Sequence, residues 1–290
     1  MFENRTGGPG GLVSSRTQRR LRRIALYLTA LIVTAFIITP LYVMVIVSFQ
    51  SPETLFSGGQ LTLFSTKLSL SNFRTLVTQT ATPTYLLNSL IITAGVVLVS
   101  TVLAVVSGYG LARFSFRGKT ATARLILFSY MISPIVLAIP LYIIFFNLGL
   151  LNSHLAAIFS ISAIAAPFSI WLMWQYFQNI PVTYEESAWT SGATRWRTVR
   201  DVVLPLARPG YISVAIFAFS VAWNDYTMVK IVLSEQALYP ITLGSSLFLD
   251  QLNIGWGEQM AVAMVMSIPP FLVALFLQNY LLQGFNLGHE

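Results

Sequence analysis

The chain has 290 residues, 55% of them hydrophobic, and a mean hydropathy of +0.71. That is more apolar surface than one soluble core of this length buries, so the composition is that of an integral membrane protein. There is no cysteine, which excludes disulfides, thiolate sites and cysteine nucleophiles, and the two histidines, His154 and His289, are too few and too far apart in sequence to suggest a metal cluster. The formal charge of +7 sits mostly beside hydrophobic runs, which assigns it to lipid headgroups and membrane topology rather than to nucleic acid.

Residues 1–23 are polar and basic, ending RTQRRLRR. The apolar run behind them is too long for a signal-peptide core and lacks an evident small-residue cleavage site, so it reads as a retained first transmembrane helix. A crossing needs about 20 apolar residues. Six stretches qualify: 24–49, 86–112, 125–148, 155–177, 211–233 and 259–282. The fold class expected is an all-α membrane protein with six transmembrane helices and both termini on one side. Lys and Arg decide the side: fourteen lie in the N-terminal tail and the 113–124 and 195–208 stretches, against Lys67, Arg74 and Lys230 elsewhere. Both termini are therefore expected in the cytoplasm.

The organisation expected is a cytoplasmic basic tail 1–23, a first helix 24–49, an extracytoplasmic loop 50–85, a transmembrane core 86–282 with a cytoplasmic loop 178–210, and a cytoplasmic C-terminal tail 283–290. A second outer loop is expected over 234–258. Prolines 40, 134, 140, 167, 269 and 270 fall in the spans, where packing irregularity and pathway lining are both open readings. No repeat relates the two halves, which argues against an inverted-repeat secondary transporter.

EESAWTSGATRWRTVRDVVLPLARPG, residues 185–210, is the longest charge-rich stretch in a chain with 9% charged residues. Thr183 with Glu186 has the spacing of a capping box, predicting a short helix from Tyr184. Ala188 and Gly192 lie one turn apart, and with Ser187 and Ser191 they make the helix small-sided; Gly192 also suits a helix end. Thr194 is placed to cap a second helix, with Trp196, Val199 and Val203 on one apolar face and Arg195, Arg197 and Arg200 left for water, headgroups or acidic partners. Pro205 is expected to end that helix, and Pro209 with Gly210 to lead into the fifth span. A helix-turn-helix elbow tied at both ends to membrane spans has the form of a mechanical handle; a loop that merely joins two spans is the alternative.

Glu186-Ser187-Ala188, Gly192 and Val202-Val203-Leu204-Pro205 read E-S-A-x3-G-x9-V-x-L-P, which resembles the E-A-A-x3-G-x9-I-x-L-P loop of type I ABC importer permeases. Ser187 and Val202 replace the usual Ala and Ile, both conservatively. SGYGLARFSFRGK at 107–119, AWNDY at 222–226 and QNYLLQGFNLG at 278–288 resemble motifs of the carbohydrate-importer branch that includes the smaller membrane subunit of the maltose transporter. The resemblance covers residues 24–288. It implies the type I permease fold, with Glu186, Ser187, Ala188, Gly192, Arg195, Leu204 and Pro205 in a coupling loop that docks on a cytoplasmic ATPase. It further implies a second, different permease chain, two ATPase subunits carrying ATP and Mg, and an extracytoplasmic solute-binding protein. The chain itself is expected to hold no cofactor, metal or catalytic group.

Gly118-Lys119-Thr120 looks like the end of a phosphate-binding loop, but the first glycine of that motif would fall on Arg113. Asn4-Arg5-Thr6 matches a glycosylation acceptor in a tail assigned to the cytoplasm. A secondary carrier should hold coupling charges within its spans, and the candidates are Asp225 and Lys230. Tyr130, Trp171, Trp174 and Trp223 are able to stack on sugar rings, yet aromatic residues serve equally at lipid interfaces and in packing. Trp223, Asn224 and Asp225 have two readings: a polar step on the solute pathway, or a clamp in which Asp225 caps a neighbouring helix end or pairs with a cation.

Overall fold

A computed structural model describes residues 15–51, 68–250 and 255–285. Among these residues all regular structure is helical: α1 Ser15–Ser48, α2 Ser71–Thr78, α3 Thr82–Arg113, α4 Lys119–Ser129, α5 Pro134–Asn147, α6 His154–Gln178, α7 Thr183–Thr190, α8 Arg195–Thr198, α9 Arg208–Asn224, α10 Thr227–Val232, α11 Ile241–Asp250 and α12 Trp256–Phe285. The tails 1–14 and 286–290, and with them Asn4, His289 and part of QNYLLQGFNLG, lie outside the described residues, as do 52–67 of the first outer loop.

Four helices are long and apolar enough to cross a membrane, within α1, α3, α6 and α12, and two bent pairs raise the number to six if each is counted as one span. One pair is α4 with α5, bent by 97°, so the stretch 125–148 is not one straight rod. The bend falls at Tyr130–Ser133, and Pro134, expected inside a span, instead opens α5, where its missing N–H costs nothing. The other pair joins the segment ending at Leu206 to α9 through a 71° bend.

The stretch 211–233 is likewise not one helix. α9 stops at Asn224, Asp225 turns extended, and α10 starts at Thr227. The second outer stretch is more than a loop: Ile241 and Leu243 of α11 are buried in the main core. α3 holds this segment by its side chains, Asn88 donating to Ala237 O and Tyr239 O and Ser89 Oγ accepting from the Ile241 N–H at 2.7 Å.

α3 and α6 form the centre, with α9 packed across both. Their contact is made by small residues, because lipid tails are as apolar as leucine and close backbone approach supplies the attraction. Ser100 and Ala104 of α3 and Ala156, Ala157, Ala165 and Ser169 of α6 are buried. At Gly108 backbone meets backbone: a Cβ there would sit 2.9 Å from the Trp174 backbone nitrogen, and one at Gly95 would sit 2.5 Å from Ile158 Cδ1. At the far end of α6, Ala104, Met173, Phe177, Val203, Ala207 and Val214 form a second core cluster that seats the elbow.

Candidate functional site

The elbow begins one residue earlier than the capping box predicts, and the box does not form. Val182 is the N-cap, Thr183 is already helical, and no side chain caps this end. The turn is instead continued from Pro181 by Glu185 N–H to Val182 O at 2.9 Å. Glu186 is therefore exposed and makes no cap, and Ser187 Oγ donates back to Thr183 O.

The end of α7 is set by Gly192. Its φ is +83°, the left-handed conformation that glycine adopts without a Cβ penalty. Gly192 N–H donates to Trp189 O at 2.9 Å and Ala193 N–H to Ala188 O at 3.0 Å, the paired bonds of a Schellman ending. Gly192 thus lies beyond the helix rather than on its face. It still lines, with Ala188, Ser191 and Ala193, an open depression of about 360 Å³ closed on the other side by Arg197, Thr198 and Asp201.

Thr194 caps the second arm as predicted, its Oγ1 accepting from Arg197 N–H at 3.3 Å. After α8 the arm widens into a π turn over Val199–Val203 and regains α geometry at Leu204–Leu206. Pro205 does not end it. A proline ring presses on the carbonyl four residues back, and the widened turn, in which Leu204 N–H reaches Val199 O, makes room. Val203 is fully buried but Trp196 is 73% exposed, so the expected face of Trp196, Val199 and Val203 is not buried as a unit. Arg195 lies over the Trp189 ring, 5.2 Å from its centroid. Leu204 is half-buried and Pro205 exposed.

Glu185, which the sequence did not single out, anchors the elbow. Its side chain is 1% exposed. Oε1 accepts from Arg113 Nε at 2.5 Å and Oε2 from the Tyr109 hydroxyl at 2.8 Å. The remaining arms of the same guanidinium donate to Phe177 O at 3.0 Å and Ile180 O at 2.9 Å. One arginine at the end of α3 thus holds the last turn of α6 and the first turn of α7. The Gly118-Lys119 pair is a helix junction: Gly118 has φ +87° and Lys119 Nζ donates to Ala112 O at 3.1 Å, a cation at the negative end of α3.

The aromatic and polar residues of the spans do not form one site. Tyr130 packs with Phe168 and Phe217, centroids 5.2 and 6.0 Å away, and Trp171 joins Phe168 at 5.7 Å. Trp174 lies on α6 where Gly108 approaches. Trp223 and Asn224 line a separate, mainly apolar cavity of about 800 Å³ between α1, α9 and α12, with Leu41, Met44, Met264 and Phe271. Trp223 is buried and stacks on Phe219, while Asn224 Nδ2 donates to Ser220 O. Asp225 Oδ1 accepts from the N–H groups of Met228 and Val229 at 3.1 and 3.2 Å, and its carbonyl accepts from Thr242 Oγ1 at 2.9 Å. Lys230 is in no ion pair among the described residues.

Residues 100–286 match the family described as the binding-protein-dependent transport system inner membrane component. The trehalose/maltose transport system permease protein MalG of Thermococcus litoralis is 29% identical over 271 residues, covering 92% of this chain and 96% of that protein. The diacetylchitobiose uptake system permease protein DasC of Streptomyces coelicolor is 28% identical over 260 residues, covering 90% and 94%. The maltose/maltodextrin transport system permease protein MalG of Vibrio parahaemolyticus is 30% identical over 272 residues, covering 88% and 90%. Among solved structures, a chain of a bacterial ABC transporter involved in the import of the acidic polysaccharide alginate superposes with a TM-score of 0.80 at 20% identity, covering 93% of this chain and 99% of that one; this likeness concerns the fold.

Proposed function

Because this chain belongs to the family of binding-protein-dependent transport system inner membrane components, we propose that it is a permease subunit of an ATP-driven importer for an oligosaccharide. The observation that carries this reading is the elbow. It presents an open depression at Ala188 and Gly192 while its other side is fastened to the ends of α3 and α6 through Arg113. A surface free to receive a partner and rigidly tied to two spans is what a force-transmitting contact requires.

In this reading Glu186, Ser187, Ala188, Gly192 and Arg195 meet a cytoplasmic ATPase, and Leu204 and Pro205 shape the arm behind them. ATP and Mg bind on two copies of that ATPase. A second, different permease completes the translocation path, since one bundle of this size encloses no guarded route, and an extracytoplasmic binding protein delivers the solute. The membrane is the prokaryotic inner membrane, with both termini on the cytoplasmic side, supported by the distribution of Lys and Arg. The names of the three relatives described above, each for saccharide uptake, support the substrate class. Asp225 is a structural cap rather than a pathway group, supported by its two backbone bonds.

The test is purification from native membranes. The chain should carry with it an ATPase and a second permease, and reconstituted complex should hydrolyse ATP faster when a saccharide-loaded binding protein is added. A chain that moves solute when reconstituted alone is a secondary carrier, and the proposal then fails. Stimulation by a non-saccharide solute alone would keep the importer and replace its substrate.

A further inference from the structure

Arg113 has more bonds than a surface cation at a helix end needs. We propose that Arg113, Glu185 and Tyr109 form a force-transmitting lock, through which displacement of the elbow passes into α3 and α6 rather than along the chain connections alone. The inference rests on the importer reading above and adds positioning residues to it.

The connections by themselves are weak levers. Between α6 and α7 run the four residues 179–182, and on the other side the arm meets α9 at a 71° bend. The second joint is seated by buried Val203 and Ala207, whereas at the first the backbone makes only short turn bonds, and its dihedrals are free to rotate under load unless side chains brace them. The guanidinium removes that freedom at the first joint. It donates to Phe177 O before the joint, to Ile180 O within it and to Glu185 beyond it. Its planar fork fixes their relative angle, which a lysine point charge would not do.

Tyr109, one turn before Arg113 on α3, takes the second carboxylate oxygen at 2.8 Å, so Glu185 is held by two rigidly spaced side chains of one helix. Among the described residues Glu185 is the acidic side chain that is fully buried, and the Arg113 pair is the ion pair out of solvent; Arg197–Asp201 and Arg200–Asp201 are exposed. A buried pair adds little net stability yet fixes geometry. None of the three lock residues lines the depression at Ala188 and Gly192. They line a separate depression of about 370 Å³ with Trp189 and Arg195, so the lock can be altered without replacing any residue of the one at Ala188 and Gly192.

The test uses the complete complex with both permeases and both ATPase subunits. Three forms are compared: wild type, Glu185→Gln, and Arg113→Cys with Glu185→Cys. For each, co-purified ATPase is measured first, then the ratio of hydrolysis with and without saccharide-loaded binding protein. A short bis-methanethiosulfonate reagent then bridges the cysteine pair.

The lock predicts that Glu185→Gln still co-purifies its ATPase but loses stimulation by about tenfold, within the span typical of coupling between sites. The cysteine pair should be unresponsive before bridging and regain stimulation after it. A role confined to stability would change the amount of complex and leave the ratio of the assembled fraction alone. A wild-type ratio in assembled Glu185→Gln, or a bridged pair as unresponsive as the unbridged one, overturns the lock. Should Glu185→Gln fail to assemble, the bridged pair decides. Wild-type chain that brings down no ATPase overturns the importer reading instead, and is seen before any variant is compared.

Discussion

The indole N–H of Trp223 donates to the backbone carbonyl of Met266 at 3.1 Å. Met266 stands four residues before Pro270, which has no N–H to offer that carbonyl within α12. The tryptophan supplies the missing donor, and so ties the end of α9 to the proline step of α12. In lipid an unsatisfied carbonyl has no water to turn to.

Trp223→Phe keeps the stacking on Phe219 and removes the donor. It is expected to destabilise the assembled protein by about 1 to 3 kcal/mol, the cost of leaving a buried polar group unpaired. Adding Pro270→Ala returns an N–H to Met266 O, so the double variant should recover most of the loss in thermal unfolding. Strictly additive losses would rule out the exchange of donors.

Asp225 holds the first turn of α10 through one carboxylate oxygen. An asparagine carbonyl oxygen can accept the same two bonds, whereas alanine cannot. Asp225→Ala should lower the stability of the complex by about 1 kcal/mol, as loss of a helix cap does, and Asp225→Asn should stay near wild type in stability and uptake. If the asparagine variant is as damaged as the alanine one, the charge itself has a role.

Gly192 tests the docking surface. Among the described residues, and its two chain neighbours aside, no atom lies within 4 Å of the position its Cβ would take, so a side chain there meets mainly the strain of a positive φ, about 1 to 2 kcal/mol for most residues and less for asparagine. Gly192→Asn should therefore remain inserted and partly active. Gly192→Leu should insert but lose uptake and the response of ATPase activity to loaded binding protein. Normal stimulated turnover in Gly192→Leu would remove this depression from the coupling contact.

Gly108 makes the opposite prediction. A Cβ there meets the Trp174 nitrogen at 2.9 Å and Met173 Cβ at 3.0 Å, and helix backbone cannot yield as a side-chain tip can. Gly108→Val should separate α3 from α6 and cost about 1 to 3 kcal/mol or more, read as a sharp fall in folded protein recovered in detergent. An undiminished yield and melting temperature would contradict the close approach.

Sidedness is checked with single cysteines. Thr194→Cys, at the elbow, should resist an impermeant thiol reagent in intact cells, and Gln236→Cys, in the exposed segment following α10, should react. The reverse pattern would invert the orientation read from the Lys and Arg distribution.

The sequence alone determined the long apolar helices within α1, α3, α6 and α12 and two local features of the elbow. Gly192 at a left-handed position and Thr194 at a cap depend on residues within one turn of them, so the pattern of neighbours suffices. The same local logic misplaced Thr183 as a cap because the preceding Pro181 had already begun the turn, and it ran 211–233 together because hydropathy is blind to a single carboxylate that caps the next helix. What only the tertiary structure decided is which side chains meet across segments. Arg113 and Glu185 are 72 residues apart, and Trp223 and Met266 are 43 apart. In a soluble helix an apolar stripe would have pointed inward, but helices apolar on every side carry no such stripe. The inner faces of α3, α6 and α9 became visible only where small residues let their backbones close, and that packing brought the Arg113 fork to the elbow.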